Sequence, residues 1–552
     1  MNTVKQWIDS GAPWVWLNAA AVSCCILLVL GLMLMIAIPG LGHFWPAQVW
    51  ELKLQEPGSG ARVIAGQIQD SERVDAQRLR ESGVPVPPEQ EMASRHLIKV
   101  GNRDVGGQDF VWVPEIQVAS RAAPRGLVVL EREEWGNFYG YLQGIKEQGK
   151  LVTRSDAWRD LQVRIDRVES LRDEISDLEK GRIGSVNYRL ERLRLRKREL
   201  EIDGETDPAP FSAIQQEREA LTANYENLEN ELGDLSRQIQ RDAVLIRTAG
   251  GNVVEIPLGN VMDAFRPNAM GFMEKIGHFL RKGWEFIVED PREANTEGGI
   301  FPAIYGTVLM VLLMSIFVTP FGVVAAVYLK EYARQGMLTR IIRIAVNNLA
   351  GVPSIVYGVF GLGFFIYTLG GGIDRLFFAE ALPSPTFGTG GLFWASLTLA
   401  LLTLPVVIVS TEEGLARIPR SIREGSLALG ATRWETLWRT VLPMASPGIM
   451  TGMILAVARA AGEVAPLMLV GVVKLAPSLP LDGNYPFLHP ERKFMHLGFH
   501  IYDVGFQSPN VEAARPLVYA TALLLVAVTV LLNLAAIRVR NRLRERYRGL
   551  ES

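Results

Sequence analysis

Cysteine is nearly absent from this chain of 552 residues, and charged residues are missing from long stretches of it. The two cysteines, Cys24 and Cys25, are adjacent within an apolar run, which argues against a disulfide framework and against a cysteine metal site. The formal net charge is only −2, so the chain lacks the basic excess of a nucleic-acid-binding protein. We therefore expect no nucleic-acid partner and no bound metal.

The uncharged stretches predict membrane helices, because a spanning helix needs about 18 or more consecutive apolar residues. Five runs without Asp, Glu, Lys or Arg are long enough: 12–50, 300–329, 344–373, 381–411 and 516–537. A sixth run, 447–473, contains only Arg459 and Glu463 as charged residues. The apolar core of the first run, 19–38, exceeds the ~7–15 apolar residues of a signal peptide. We expect a retained anchor helix in 1–47 and about six transmembrane helices in all.

Basic residues near the spans predict the orientation, since short cytoplasmic segments are rich in Lys and Arg. The tail 538–552 holds six arginines and two glutamates. The loop 330–343 holds Lys330 and three arginines against one glutamate. Both segments are predicted to be cytoplasmic, and with six spans the N-terminus is predicted to be cytoplasmic too. The polar insertion 48–298 then lies on the outer face.

The insertion has the pattern of a mixed α+β domain. Glycine and proline at 56–63 and 81–90 suggest loops, and apolar alternation predicts strands at 96–100, 109–113, 115–119 and 126–131, with a β-hairpin at 243–258. Between the strands, 156–247 is predicted to form an antiparallel coiled-coil hairpin that turns at 204–210, with a second-arm seam at Leu221, Tyr225, Leu228, Leu232, Leu235 and Ile239. The segment 270–287 follows as an amphipathic helix, either at the membrane interface or packed within the domain.

The loop 412–446 carries apolar side chains that a connector does not need. Trp434, Leu437, Trp438 and Val441 follow helical spacing and predict one apolar stripe. Gly430 permits a sharp reversal between two short helices. An ordinary connector is the alternative, but an exposed apolar helix face favours docking into a groove of a partner protein.

The segment 300–537 resembles the permease core of type I ABC importers, in particular the PstA-type subunits of phosphate uptake systems. Within 424–443 the chain keeps the acidic residue, the glycine and the leucine-proline pair of that family's coupling loop, as Glu424, Gly430, Leu442 and Pro443. Gly425 and Ser426 stand where alanines are usual. Further matching pieces are GGIFPAIYGT at 298–307, GVPSIVYGVFG at 351–361 and ARAAGEVAPL at 458–467.

The resemblance implies a polytopic α-helical membrane protein whose permease core, 299–552, contains a coupling loop, 412–446, and whose insertion is periplasmic. It further implies a permease subunit in a bacterial inner membrane that imports phosphate. Expected partners are a second, PstC-type permease, a PstB-type ATPase dimer and a PstS-type phosphate-binding protein. ATP and magnesium would be used by the ATPase, so this chain is expected to be no enzyme and to bind no cofactor directly. Coupling would involve Glu424, Gly430, Trp434, Leu437, Trp438, Leu442 and Pro443.

The pair Arg459 and Glu463 is the candidate substrate pathway. A charge within the membrane costs ~2.5–3.5 kcal/mol on insertion scales, so such residues are retained for a reason. Spaced by four, the two side chains can meet on one helical face. They either clamp neighbouring helices or offer a cation to a passing oxyanion, and the resemblance favours the second interpretation.

Other motifs carry less weight. The segment 144–150 has the spacing of a phosphate-binding loop, but Leu151 replaces the magnesium-binding serine or threonine. His496 and His500 are spaced for a metal on a helix, yet loop packing is the favoured interpretation for both. Two other functions stay open: a permease for sulfate or molybdate, and a periplasmic adaptor of an export system, which would need only one membrane anchor.

Overall fold

The computed structural model describes Trp7 and residues 10–56, 60–152, 156–508 and 511–547. Within these residues, six helices are long and apolar enough to cross a membrane: Ala12–Gly42, Phe301–Tyr332, Ser354–Phe377, Leu392–Ala416, Arg433–Ala461 and Ala514–Glu545. Their number agrees with the sequence prediction. The chain is therefore a polytopic helical membrane protein.

The helices of the membrane part are, in chain order, α1 Ala12–Gly42, α8 Phe301–Val327, α9 Met337–Leu349, α10 Ser354–Phe360, α11 Gly371–Phe377, α12 Leu392–Ala416, α13 Arg420–Ala428, α14 Arg433–Thr436, α15 Leu442–Ala461, α16 Leu467–Val470, α17 Leu497–Tyr502 and α18 Val511–Tyr547. Wider π-helical turns at 328–332, 361–370, 437–441 and 503–507 interrupt or extend them. α9 covers the end of the predicted loop 330–343 and the start of the predicted span 344–373. Gly351 and Pro353 separate it from α10.

The membrane core is built around α12, the most deeply buried of the six spans. It packs against α8 on one side and α15 on the other. Small residues allow this closeness: a Cβ added at Gly322 of α8 would lie 2.6 Å from Val407, and one at Gly452 of α15 would lie 2.8 Å from Ser410. Large apolar side chains fill the remaining space in one cluster that includes Met310, Leu399 and Trp394.

The anchor helix α1 stands at the edge of this bundle and exposes nearly all of its apolar side chains. It contacts the last span, α18, where Gly40 lies against the backbone of Tyr519. Because exposed leucines and valines at this density are stable only in an apolar solvent, lipid is the natural surrounding of α1.

The described part of the insertion contains two main β-sheets and one two-stranded sheet. The first has the order β4-β3-β2-β1-β5, and its strands are β1 Val49–Glu56, β2 Gly60–Asp75, β3 Met92–Lys99, β4 Phe110–Pro114 and β5 Val118–Ala122. The second has the order β10-β9-β7-β6-β11, and the short β8 pairs with β7 outside this order. Its strands are β6 Leu127–Arg132, β7 Phe138–Glu147, β8 Lys150–Val152, β9 Asp242–Arg247, β10 Val253–Pro257 and β11 Val261–Phe265. A third, two-stranded sheet joins β12 Pro291–Arg292 to β13 Glu297–Gly298.

The two main sheets are copies of one unit. Their strand orders correspond strand for strand when β8 is set aside, and in both a 3₁₀ turn after a terminal proline, at Glu115–Gln117 and Leu258–Asn260, leads into the last strand. Gly66 of β2 and Gly140 of β7 occupy equivalent positions, where a Cβ would collide with the neighbouring strand. The insertion is therefore an internal duplication, which the sequence analysis did not detect.

Three expectations for the insertion are wrong. The predicted strand 115–119 begins as the 3₁₀ turn Glu115–Gln117, and β5 starts only at Val118. The glycine-containing stretch 56–63, predicted as a loop, leads into the long strand β2 from Gly60, although residues 57–59 lie outside the described part. The predicted helical hairpin 156–247 is too long: its returning helix ends at Ile239, and residues 242–247 form the strand β9. Strand is favoured there because valine, isoleucine and leucine dominate 242–247, and these residues pair with β7.

The helical hairpin emerges from the second unit between β8 and β9. It consists of α4 Ala157–Ser176, a π turn at Asp177–Ile183, α5 Gly184–Ile202 and the returning α6 Pro208–Ile239. Leu161, Ile165 and Val168 of α4 pack on the second sheet, and Ile239 at the end of α6 packs against the same cluster. Only the outer part of the hairpin has its own core, in which Leu178, Val186, Leu221 and Leu228 are buried.

The hairpin also touches the loops that join the spans. α5 packs against the 3₁₀ turn Ala379–Ala381. The hydroxyl of Tyr188 donates a hydrogen bond to the backbone oxygen of Tyr485 over 2.7 Å, and its ring meets that of His489 at 5.7 Å between centroids. The insertion therefore lies over one end of the helical bundle, and the loop 412–446 lies at the other.

Three shorter helices complete the insertion: α2 Ala76–Glu81, α3 Arg103–Gly106 and the amphipathic α7 Phe272–Val288. α7 exposes a large apolar face formed by Phe272, Met273, Leu280 and Trp284. Its other face meets the end of α1, where the rings of Phe44 and Phe286 are 5.1 Å apart. Of the two interpretations for this helix, its exposed aromatic face beside the anchor helix favours the membrane interface.

Candidate functional site

The predicted coupling loop, 412–446, folds into two short helices that meet at a sharp turn. α13 ends at Ala428, and Gly430 adopts a φ of 88°, a left-handed conformation that glycine tolerates without strain. Thr432 then caps α14: its hydroxyl accepts a hydrogen bond from the backbone amide of Glu435, while the Glu435 carboxylate accepts one from the Thr432 amide. The reversal predicted at Gly430 is present.

The predicted single apolar stripe is divided between two faces. Leu437 and Val441 are buried against Val327, Leu415 and Ala445, and so they hold the loop to the ends of the spans. Trp434 and Trp438 point the other way, and each is 62% exposed. The division separates two neighbouring i, i+4 rows of the helix: Leu437 and Val441 lie on the row that faces the span ends, and Trp434 and Trp438 lie on the row beside it. Leu437 is thus an anchor and not part of the exposed face.

The two tryptophans form one flat apolar surface. Their rings stack with centroids 5.9 Å apart and an angle of 14° between the planes. Leu429, beside the turn, is 91% exposed. Stacked aromatic rings present a large rigid area to a partner at a low cost in conformational entropy. Leu429, Trp434 and Trp438 together form the tryptophan face.

The remaining predicted residues lie before and after the tryptophan face in the chain. Glu424 is exposed on α13. Leu442 and Pro443 begin α15 directly after the π turn at 437–441, and both are partly buried. The structure therefore places all seven predicted coupling residues on one short connection.

Arg423, which the sequence analysis missed, ties the loop to the spans. Its guanidinium donates to the backbone oxygens of Ile418 at 2.7 Å and Leu415 at 2.8 Å, and pairs with Glu331 at 2.9 Å. The first two bonds satisfy carbonyl groups at the end of α12, and the third reaches the end of the α8 span. A movement of α13 would therefore be transmitted to two spans through one side chain.

Arg459 and Glu463 do meet, as predicted. The Nε of Arg459 lies 3.4 Å from Oε1 of Glu463, and the side chains are 33% and 20% exposed. However, the helix does not continue to 473 as expected: α15 ends at Ala461, so Arg459 is in its last turn and Glu463 is beyond it. Gly462 and Pro466 both disfavour continued helix. A cation in this position also interacts favourably with the helix C-terminus.

The segment after this break is packed tightly between neighbours. A Cβ added at Gly358 of α10 would lie 2.7 Å from the Cα of Pro466, and one at Gly498 would lie 2.6 Å from the side chain of Val464. The charged pair therefore lies at a tightly packed helix break, and both of its side chains remain partly exposed.

The histidines have structural surroundings. His496 and His500 are almost completely buried, and Nδ1 of His496 accepts a hydrogen bond from the backbone amide of Gly498 at the start of α17. Burial lowers the pKa of His496 to about 3. His489 lies 3.1 Å from Asp482 and 3.3 Å from Glu491. Within the described residues, no three His, Cys, Asp or Glu side chains converge to form a metal site.

The segment 144–150 lies on the β7–β8 hairpin, where Gly149 occupies the turn with a φ of 79°. A phosphate-binding loop joins a strand to a helix, so this geometry agrees with its rejection.

Comparison with known proteins identifies the membrane part. The family of binding-protein-dependent transport system inner membrane components matches residues 318–549. Phosphate transport system permease protein PstA 1 of Mycobacterium tuberculosis is 36% identical over 247 residues, which is 44% of this chain and 71% of that protein. The PstA protein of Mycobacterium leprae is 40% identical over 202 residues, covering 36% of this chain and 60% of that protein. The probable ABC transporter permease YqgI of Bacillus subtilis is 31% identical over 258 residues, covering 46% of this chain and 81% of that protein.

Among solved structures, the MetNI methionine ABC transporter in its inward-facing conformation covers 48% of this chain and 95% of the matched chain, with 19% identity and a TM-score of 0.31. The matched family lies in the permease part and leaves the insertion outside it. Because this chain covers most of the length of relatives to which it is more than 30% identical, it belongs to the PstA-type family of ABC transporter permeases, multi-pass inner-membrane components of binding-protein-dependent transport systems.

Proposed function

We propose that this chain is the permease subunit of an ATP-driven importer of inorganic phosphate and forms half of its translocation pathway. The single observation that carries the proposal is the 36% identity to a phosphate transport permease over 71% of that protein's length. Another oxyanion, such as sulfate or molybdate, would suit a cationic pathway as well as phosphate on chemistry alone. Similarity to several relatives named for phosphate transport favours phosphate.

The proposed assembly contains a PstC-type second permease, a PstB-type ATPase dimer and a PstS-type binding protein. The tryptophan face would dock on the ATPase, which alone would use ATP and magnesium. The termini would then lie in the cytoplasm, and the insertion, at the opposite end of the bundle, would lie in the periplasm. The basic tail from Arg538 onward supports this orientation.

In the proposed mechanism, closure of the ATPase on ATP moves α13 and α14. Arg423 and the buried Leu437 pass that movement to the spans, because both are fixed to span ends by hydrogen bonds or packing. The spans then rock, and the break after α15 opens alternately to either side. Arg459 supplies a positive charge to the phosphate anion, and Glu463 holds the guanidinium in position while no anion is bound.

The pathway role is tested by uptake of radiolabelled phosphate into cells that depend on this chain. Arg459→Ala is expected to reduce uptake at least tenfold without lowering the amount of assembled complex, because it removes the cation beside the helix break. Arg375→Gln, at an exposed arginine of α11, is the matched control. Uptake at the control level in Arg459→Ala would contradict the pathway role.

The substrate is tested separately, by competition in the same cells. Unlabelled phosphate should abolish uptake, whereas equal concentrations of sulfate or molybdate should leave it unchanged. If sulfate or molybdate competed and phosphate did not, the substrate would be the other oxyanion.

A further inference from the structure

A cavity of about 560 Å³ opens beside the predicted coupling loop, between the ends of three spans. α12 contributes Ser410 and Glu413, and Arg417, which caps the end of α12, also lines the cavity. α15 contributes Met444 and Thr451, and α18 contributes two arginines. The cavity therefore lies at the end of the bundle that faces away from the insertion.

Close helix packing explains why the cavity exists. Gly414 of α12 and Gly448 of α15 touch, since a Cβ added at Gly448 would lie 2.7 Å from the Cα of Gly414. The third helix, α18, packs along α15 but hardly contacts α12, and this leaves space beside the crossing. Ile418, Pro419, Ile422 and Pro447 add an apolar lining to the space that is left.

The polar rim of the cavity carries a net positive charge. Arg417, Arg540 and Arg544 line it, with Glu413 as the one acidic lining residue. Arg540 and Arg544 are four residues apart and so project from one face of α18. Within the described residues none of the three arginines has a side-chain hydrogen bond or an ion pair, whereas nearby Arg343 pairs with Glu412 and Arg423 with Glu331.

We propose that this cavity binds a phosphate group, carried by an anionic phospholipid headgroup or present as free inorganic phosphate. Guanidinium groups hold phosphate oxygens through paired hydrogen bonds, and three of them around one space leave a charge that an anion neutralises. The apolar wall and the position at the ends of the spans suit a headgroup whose acyl chains follow α18 into the membrane.

The cavity is separate from the proposed substrate pathway. Arg459 lies eight residues beyond Thr451 on α15, which corresponds to about 12 Å along the helix axis. Neither Arg459 nor Glu463 lines the cavity. Because the cavity borders Ile418, Pro419 and Ile422, a bound phosphate group would stabilise the start of α13 against the spans.

The test uses the purified transporter complex and native mass spectrometry with added phosphatidylglycerol, phosphatidylcholine or inorganic phosphate. The double variant Arg540→Gln/Arg544→Gln is compared with Arg538→Gln/Arg542→Gln, which removes the same charge from the same helix but outside the cavity. Because the cavity variant loses two guanidinium groups that would hold phosphate oxygens through charge-assisted hydrogen bonds, its phosphatidylglycerol binding should fall at least tenfold, whereas the control, whose arginines lie outside the cavity, should stay near the wild-type level.

The three added ligands distinguish the two sources of the phosphate group. Selective loss of phosphatidylglycerol in the cavity variant, with no displacement by inorganic phosphate, assigns the site to lipid. Selective loss of bound inorganic phosphate, with no retained phosphatidylglycerol, assigns it to the free ion. Equal binding of every ligand to the two double variants would overturn the proposal, since charge on the helix in general would then account for any effect.

Discussion

Replacing Trp434 and Trp438 by alanine should separate the ATPase from this permease. Each tryptophan is 62% exposed. A tryptophan buries about 150–250 Å² in an interface, so docking would remove roughly 90–155 Å² per ring from water. At about 25 cal/mol per Å², each ring would contribute roughly 2–4 kcal/mol.

Those free energies correspond to a loss of affinity of about 30- to 800-fold for a single Trp→Ala change. The assay is titration of the purified ATPase subunit onto the permease complex in detergent, followed by ATP-driven phosphate uptake in proteoliposomes. We expect weaker binding and less uptake per ATP hydrolysed in each single variant. Folding should be little affected, because neither ring contributes to the buried cluster around Leu437.

Trp284→Ala is the matched control. Trp284 is 65% exposed on α7 of the insertion, so the same chemical change is made on an equally open surface far from the loop. If Trp434→Ala and Trp438→Ala bound the ATPase as tightly as Trp284→Ala, the docking role of the tryptophan face would be refuted.

Three further predictions concern local structure. Gly430→Ala should destabilise the turn by about 1–2 kcal/mol and weaken coupling, whereas Gly430→Asn should be nearly neutral, as measured by ATPase activity and uptake. Gly391→Ala should abolish folded protein in size-exclusion profiles, because a Cβ would lie 2.2 Å from the carbonyl oxygen of Glu491; Gly363→Ala, with open space around it, should not. Burial, reinforced by Lys282, lowers the pKa of His278 to about 4 from 6.5, so unfolding takes up a proton between these values and stability falls as the pH drops through that window. His278→Phe should flatten this pH dependence of thermal unfolding, and an unchanged curve would contradict the assignment.

The spans and the reversal at Gly430 could be predicted from the sequence because each depends on local properties. A long apolar run has few stable alternatives to a spanning helix, and a glycine between two short amphipathic segments favours a turn. The meeting of Arg459 with Glu463 was predictable for the same reason, since a spacing of four residues brings side chains together near a helix end as well as within a helix.

Features that depend on tertiary packing could not be predicted in this way. Periodicity assigns Leu437 and Trp438 to one stripe, but packing against the span ends buries Leu437 and Val441 and leaves Trp434 and Trp438 exposed. The role of Arg423 depends on Glu331, 92 residues earlier in the chain. The long strand β2 was obscured by the glycines at its start.

The duplication in the insertion did leave a signal in the sequence. Both units contain a glycine followed three residues later by glutamine, at 66–69 and 140–143. Both also carry Leu-Ile followed by a basic residue in the third strand of the unit, at 97–99 and 245–247. Self-comparison of the insertion would have found these pieces, whereas a search for strands one at a time could not relate them.

The duplication also explains how a long helical arm can be accommodated. In the first unit the connection between its second and third strands is α2 with a short loop, and in the second unit the same connection carries the whole hairpin, α4 to α6. The arm begins after β8 and ends before β9, and both of these strands are hydrogen-bonded to β7, so the arm leaves and re-enters the sheet beside the same strand. Because Leu161, Ile165 and Val168 of α4 belong to the core of the second unit, only the outer part of the arm, which has its own core, can change in length while both β-units keep their shape.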